Sequence, residues 1–147
     1  MLNKINALIR ANDICVLATA GEQGPHTSLM AYACSPDCRQ IYLVTPRQTL
    51  KYRNMRAQPS VSLLVDTRET MPRGEVRALT INGRAVEIAD AKEAAAAREV
   101  LGGRHPQLKS LLALPDLAFI RVGIETLQLL EGPQASHFVR LPGADAG

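Results

Sequence analysis

The densest run of residues able to do chemistry is VTPRQTLKYRN, residues 44–54. It brings the cations Arg47, Lys51 and Arg53 together with the hydroxyls of Thr45 and Thr49. The apolar run IYLV just before it reads as a buried strand. A turn then leads into a helix that begins near Gln48 or Thr49. A helix start presents unbonded backbone N–H groups and the positive end of the helix dipole. An anion is favoured there. Thr45 and Thr49 add hydroxyl donors, and Arg47 and Lys51 add charge. An Arg can grip a phosphate through two parallel hydrogen bonds. The stretch therefore reads as a pocket for a single phosphate group, of mononucleotide size. It is not a P-loop, because no GxxxxGK pattern is present. The competing interpretation is a capped surface helix carrying solvated basic residues.

Other reactive residues form no constellation. His26, His105 and His137 are scattered, with no HExxH spacing. Cys34 and Cys38 form a C-x3-C pair without a second pair, so no zinc site is expected. They read as free thiols that a hairpin could bring close. Ser28, Ser60, Ser62, Ser110 and Ser136 lack a GxSxG context. No nucleophile–base pair is visible, so any chemistry would fall to a bound cofactor, with catalytic side chains left unassigned.

Composition limits the classes. The chain has 147 residues, enough for one domain with a core and no disulfide staples. Hydrophobic residues make up 46% and charged residues 21%, which is a globular balance. Aromatics reach only 3% with no Trp, so the core must be aliphatic and base-stacking platforms are scarce. The net charge of +3 and pI of about 9.0 admit a phosphorylated small molecule or a nucleic acid. The aromatic shortage weighs against the second. Three cysteines, an odd count, point to a reducing compartment. The N-terminus shows no apolar signal region, and no apolar run is long enough for a bilayer. The expectation is a cytoplasmic protein with no membrane association.

The elements that must position these residues follow from periodicity. Leu2, Ile5, Leu8 and Ile9 predict a helix over 2–11. Strands are expected over 14–20, 26–34, 40–45 and 61–66, with a turn at Ser35–Cys38. A helix over 49–57 ends before Pro59. Residues 76–89 alternate on both sides of Asn82-Gly83, which predicts either a bulged strand or a very tight hairpin. Asp90 caps a helix expected to stop at Gly102-Gly103. Residues 107–114 form a short helical piece and 117–130 a late strand. The final residues, about 131–147, read as an extension or tail, with LPGADAG frayed. The class is mainly β with short helices (α+β), a small closed or partly closed barrel.

The ordered set of motifs resembles the FMN-binding split-barrel family, the pyridoxamine 5'-phosphate oxidase-like proteins. The residues that carry the resemblance are ICVLATAGEQGPH, then Thr45 with Thr49-x-Lys51 and Asn54, then QPSVSL at 58–63, with GRHPQLKSLLALPDLAFIRV later. The resemblance spans about residues 2–130. It implies a six-stranded antiparallel split β-barrel and a homodimer with FMN at the interface. Thr49, Lys51 and Arg47 would hold the FMN phosphate, with Leu50 between them. Thr45 and the Val44 backbone would lie beside the ribityl chain and ring. Ser28, Leu29 and Met30 would offer backbone groups to the flavin edge. Members that oxidise vitamin B6 carry an Arg beside the phosphate Lys, cations on the second strand, and a late Trp. Here Leu50 stands beside Lys51, HTSLMAYAC holds no cation, and there is no Trp, which speaks against that substrate. The resemblance thus implies an FMN-dependent oxidoreductase of unidentified substrate. The alternatives are a non-enzymatic electron carrier or flavin store, a haem-handling relative, and a nucleic-acid-binding barrel.

Overall fold

The alternation of apolar and polar residues in the predicted strands is realised as a curled antiparallel sheet. A computed structural model describes residues 1–133 and 135–143. Helix α1 (Leu2–Ala11) precedes strands β1 (Ile14–Gly21), β2 (Gly24–Ala31), β3 (Ala33–Cys34) and β4 (Gln40–Pro46). Helix α2 (Leu50–Ala57) leads to β5 (Ser60–Asp66) and β6 (Arg77–Glu87). Helices α3 (Ala91–Arg104) and α4 (Lys109–Leu112) precede β7 (Leu117–Glu131) and β8 (Ala135–Arg140). The strand order is β2-β1-β5-β6-β7-β4-β3, and β8 pairs with β7.

The two ends of that order, β2 and β3, are consecutive in the chain and separated only by Tyr32. The sheet must therefore curl until its two edge strands come end to end at Tyr32, as in a split barrel. Tyr32 makes the corner. Its N–H donates to the Asp13 carbonyl at 2.9 Å and its hydroxyl to the Ile9 carbonyl at 2.7 Å. His105 Nε2 donates to the Tyr32 carbonyl at 2.7 Å, so the buried histidine pins the end of α3 to this corner. Among the described residues eight strands form rather than the expected six. The strand expected over 26–34 is split at Tyr32 because its halves pair with β1 and β4 respectively.

Residues two apart fill the barrel: Cys15 and Leu17 on β1, Leu63 and Val65 on β5, Leu79 and Ile81 on β6, Ile120 and Val122 on β7. A second apolar cluster, with Val44, Phe119, Ala97 and Leu101, lies between α3 and the outer face of β4 and β7.

Residues 77–87 are one strand with a register break, so the hairpin option falls. Asn82 faces Thr126 while Gly83 faces Ile124, which leaves Glu125 bulged on β7. A Cβ at Gly83 would lie 2.2 Å from the Gly123 carbonyl oxygen, so only glycine fits this strand contact. Helix α3 runs through Gly102-Gly103, contrary to the expected stop. Gly102 lies against α4, where an added Cβ would sit 3.3 Å from Leu112 Cδ1, and the helix ends at His105, before Pro106. The chain after β7 is not simply a tail. β8 pairs with the half of β7 that β4 leaves free, and Leu141 is buried with its N–H bonded to the Glu125 carbonyl at 3.0 Å. The rest of the expected frayed end, residues 144–147, lies outside the described residues. Among the described residues no helix is long and apolar enough to cross a membrane.

Candidate functional site

The basic turn folds as its residue types require. β4 ends at Pro46, and Thr49 becomes the N-cap of α2, its Oγ1 accepting from the Tyr52 N–H at 3.3 Å. Thr45, buried at the end of β4, shares a 2.8 Å hydroxyl–hydroxyl hydrogen bond with Thr49. The two threonines fasten strand end to helix start. The first-turn N–H groups of Leu50 and Lys51 have no intrahelical carbonyl to reach. Lys51 is half-buried and makes no ion pair or hydrogen bond among the described residues.

Arg47 is placed differently. Its guanidinium donates to Glu87 at 2.5 Å and to Asp116 at 2.9 Å. Tyr52 donates its hydroxyl to the second Glu87 oxygen at 2.6 Å, and Gln48 bonds Asp116 at 3.1 Å. The carboxylates of Glu87 and Asp116 hold Arg47 firmly in its charged form. Burial alone would push the Glu87 carboxyl up, but the hydrogen bonds from Tyr52 and Arg47 outweigh it and leave Glu87 below its ordinary value. This network ties the β4–α2 turn to the end of β6 and to the turn before β7. Sequence reasoning missed it, since Glu87 and Asp116 lie far from Arg47 along the chain and neither belongs to a motif.

Asn54, one turn into α2, reaches the other half of the candidate site. Its Nδ2 donates to Thr19 Oγ1 on β1 at 3.1 Å, and both side chains are buried. A Cβ at Gly21 would lie 2.1 Å from Asn54 Oδ1, so glycine is what lets the β1–β2 hairpin close on this amide. Thr19 pairs with His26 on β2, whose Nδ1 is buried without a hydrogen-bond partner. Helix α2 is thus clamped to the hairpin that carries Ser28, Leu29 and Met30.

The remaining candidates separate by face. Met30 points into the barrel core and Val44 into the cluster under α3. Ser28 is half-buried. Leu29 projects outward, 72% exposed, in a row with Val16 and Leu64. It lines a surface hollow of about 290 Å³ with Ile14, Val16, Leu64, Asp66 and Arg68. Thr45, Thr49 and Lys51 do not line that hollow, and no hydrogen bond joins them to residues 28–30 among the described residues. The candidate residues therefore fall into two groups, one at the start of α2 and one on β2. Among the described residues β2 is a sheet edge that pairs with β1 alone, so alternate backbone groups along it have no ladder partner there. Cys34 and Cys38 gather no third ligand, and no cluster of three His, Cys, Asp or Glu side chains occurs among the described residues.

The comparisons with known proteins agree with this architecture. No curated protein sequence matches the chain. A FAD-binding protein from Mesorhizobium loti superposes with a TM-score of 0.72 at 22% identity, over 88% of this chain and 93% of that one. A haem-binding protein from Mycobacterium smegmatis gives 0.78 at 19% identity, over 96% of this chain but only 57% of its own length. A protein of unknown function from Agrobacterium tumefaciens gives 0.76 at 25% identity, over 84% of this chain and 53% of that one. The chain thus spans little more than half the length of those last two. The sequence model described as pyridoxamine 5'-phosphate oxidase matches residues 1–131, through β1 to β7 and the whole of the Thr45–Asn54 turn. The chain therefore belongs to the pyridoxamine 5'-phosphate oxidase-like family.

Proposed function

We propose that the protein binds FMN between two copies of itself and works as an FMN-dependent oxidoreductase. The observation that carries this reading is the start of α2, where Thr49 caps the helix and Lys51 stands as an unmatched cation. A phosphate at this point accepts from the Lys51 ammonium, the first-turn amides and the threonine hydroxyls. Arg47 already has two carboxylate partners, so Thr49 and Lys51 are the anchor and Arg47 braces the turn. The Asn54–Thr19 bond sets the distance from that anchor to β2. The unpaired edge of β2 at Ser28, Leu29 and Met30 offers backbone donors and acceptors to a flavin ring, and this does not depend on side-chain identity. Exposed Leu29 and Leu64, with half-buried Val16 between them, are a suitable seat for the second copy.

Bound FMN would supply hydride and one-electron chemistry. The chain's part is to hold the phosphate, orient the ring against β2 and exclude water with the apolar row. A second reading, haem binding, draws on the Mycobacterium relative and on the unpartnered Nδ1 of His26.

The test is reconstitution. The purified protein is mixed with FMN, passed through gel filtration and scanned in the visible. Flavin absorbance co-eluting at the size of two chains supports the reading. Protein that emerges without flavin but takes up haemin favours the second, and protein that takes up neither overturns both. If flavin is held, photoreduction followed by screening of small oxidants and reductants separates an oxidoreductase from an electron carrier, which reduces reversibly without turning over a substrate.

A further inference from the structure

Two thiols at the turn between β3 and β4 are unused by the flavin reading. Cys34 ends β3 and Cys38 closes the turn to β4, and their sulfurs are 3.5 Å apart. The turn between them is held by several bonds. The Cys38 N–H donates to the Ser35 carbonyl at 2.9 Å, Ser35 Oγ donates to Asp37 at 2.7 Å, and the Gln40 N–H donates to Ser35 Oγ at 3.0 Å. Cys38 itself has φ +57, a left-handed conformation that a side chain other than Gly, Asn or Asp seldom adopts. The Cys38 sulfur lies at the edge of the barrel core, against the Cys34 sulfur and 3.8 Å from the Asn6 carbonyl. A disulfide needs the sulfurs to close by about 1.5 Å, within reach of side-chain rotation.

We propose that Cys34 and Cys38 form a redox-active pair that closes to an intramolecular disulfide on exposure to a low-molecular-weight disulfide. The roles follow from exposure. Cys34 is half-buried and Cys38 is buried. Burial first, and the contact with Cys34 second, push the Cys38 thiol up to about 11, so it is a poor initial nucleophile. Cys34, as thiolate, attacks one sulfur of the oxidant R–S–S–R, making Cys34–S–S–R and releasing one RS⁻. Cys38 then attacks the Cys34 sulfur. The Cys34–Cys38 bond forms, the second RS⁻ leaves, and the two cysteine protons end on the two RS⁻. Two protein thiols are oxidised and one small disulfide is reduced to two thiols. Cys15 takes no part. It is buried in the barrel core, and desolvation pushes its thiol up to about 12.

The full chain is incubated with oxidised glutathione, quenched in acid, denatured and alkylated, and then mapped by mass spectrometry. The expected product is monomeric on a non-reducing gel, with a Cys34–Cys38 link and Cys15 as the one alkylated cysteine. Cys38→Ser should stop at the first step, with a single glutathione on Cys34. Cys34→Ser should take up none under the same conditions. Circular dichroism of both variants checks that they are folded, and the wild-type result stands even if one is not. Three alkylated cysteines in the treated wild type, a link that includes Cys15, or a disulfide only between chains would each overturn the proposal.

Discussion

Consider Lys51→Ala. The side chain leaves the first turn of α2, where it is half-buried and bonds to nothing among the described residues. No internal carboxylate loses a partner. A substitution of that kind shifts stability by about 0.5 kcal/mol or less, or about 1–2 °C in Tm for a chain of this length. The phosphate contact is another matter. A charge-assisted hydrogen bond contributes about 1.5–3 kcal/mol. Its loss raises the Kd for FMN about 10- to 150-fold. Riboflavin has no phosphate, so its affinity should not change. Titration of both flavins into wild type and variant, followed by fluorescence quenching, reads the two constants, and a thermal melt reads the fold. Arg47→Ala is the internal contrast. It strips the partner from Glu87 and Asp116, so it should lower Tm while weakening FMN less than Lys51→Ala does. Equal loss for FMN and riboflavin, or unchanged FMN affinity, would refute the assignment of Lys51 to the phosphate.

Gly83→Ala should lower Tm by about 3–10 °C, from about 1–3 kcal/mol of overpacking against the Gly123 carbonyl, which the bulged ladder cannot move aside. The Glu87 carboxyl titrates lower in the folded state than in the unfolded chain, so its contribution is present above the ordinary carboxylate range and fades as pH falls through the folded value. Urea midpoints at about pH 6 and about pH 3 should therefore differ more for wild type than for Glu87→Gln; an equal difference counts against the Arg47–Glu87–Tyr52 network as the cause. Leu29→Asp places a charge in the outward-facing apolar row with Val16 and Leu64. By sedimentation velocity it should shift the protein towards single chains and lose FMN together with the dimer, whereas an unchanged sedimentation coefficient removes that face from the proposed interface.

Much of this was legible in the residues themselves. The helical spacing of Leu2, Ile5, Leu8 and Ile9 made α1, and the threonine pair with Lys51 announced a capped helix start after a strand. Gly83 signalled either a bulge or a tight hairpin, and the structure takes the bulge, on the facing β7, where Gly83 closely approaches Gly123. These readings succeeded because each depends on neighbours within a few residues, where propensity and capping act. Alternation and turn chemistry also sufficed for a mainly β barrel, since an aliphatic chain with these breaks can bury its apolar face in few other ways.

The features that local sequence left open depend on groups distant in the chain. The Gly102-Gly103 pair did not end α3, because packing against Leu112 rewards a small residue inside the helix as well as after it. β8 exists because the bulge at Glu125 and the departure of β4 leave half an edge of β7 to be paired, and no local pattern in 135–140 says so. Arg47 and Lys51 both read as cations for a phosphate. Folding brings Glu87 and Asp116 to Arg47 and leaves Lys51 unmatched, because opposite charges attract through space, whatever their separation in sequence.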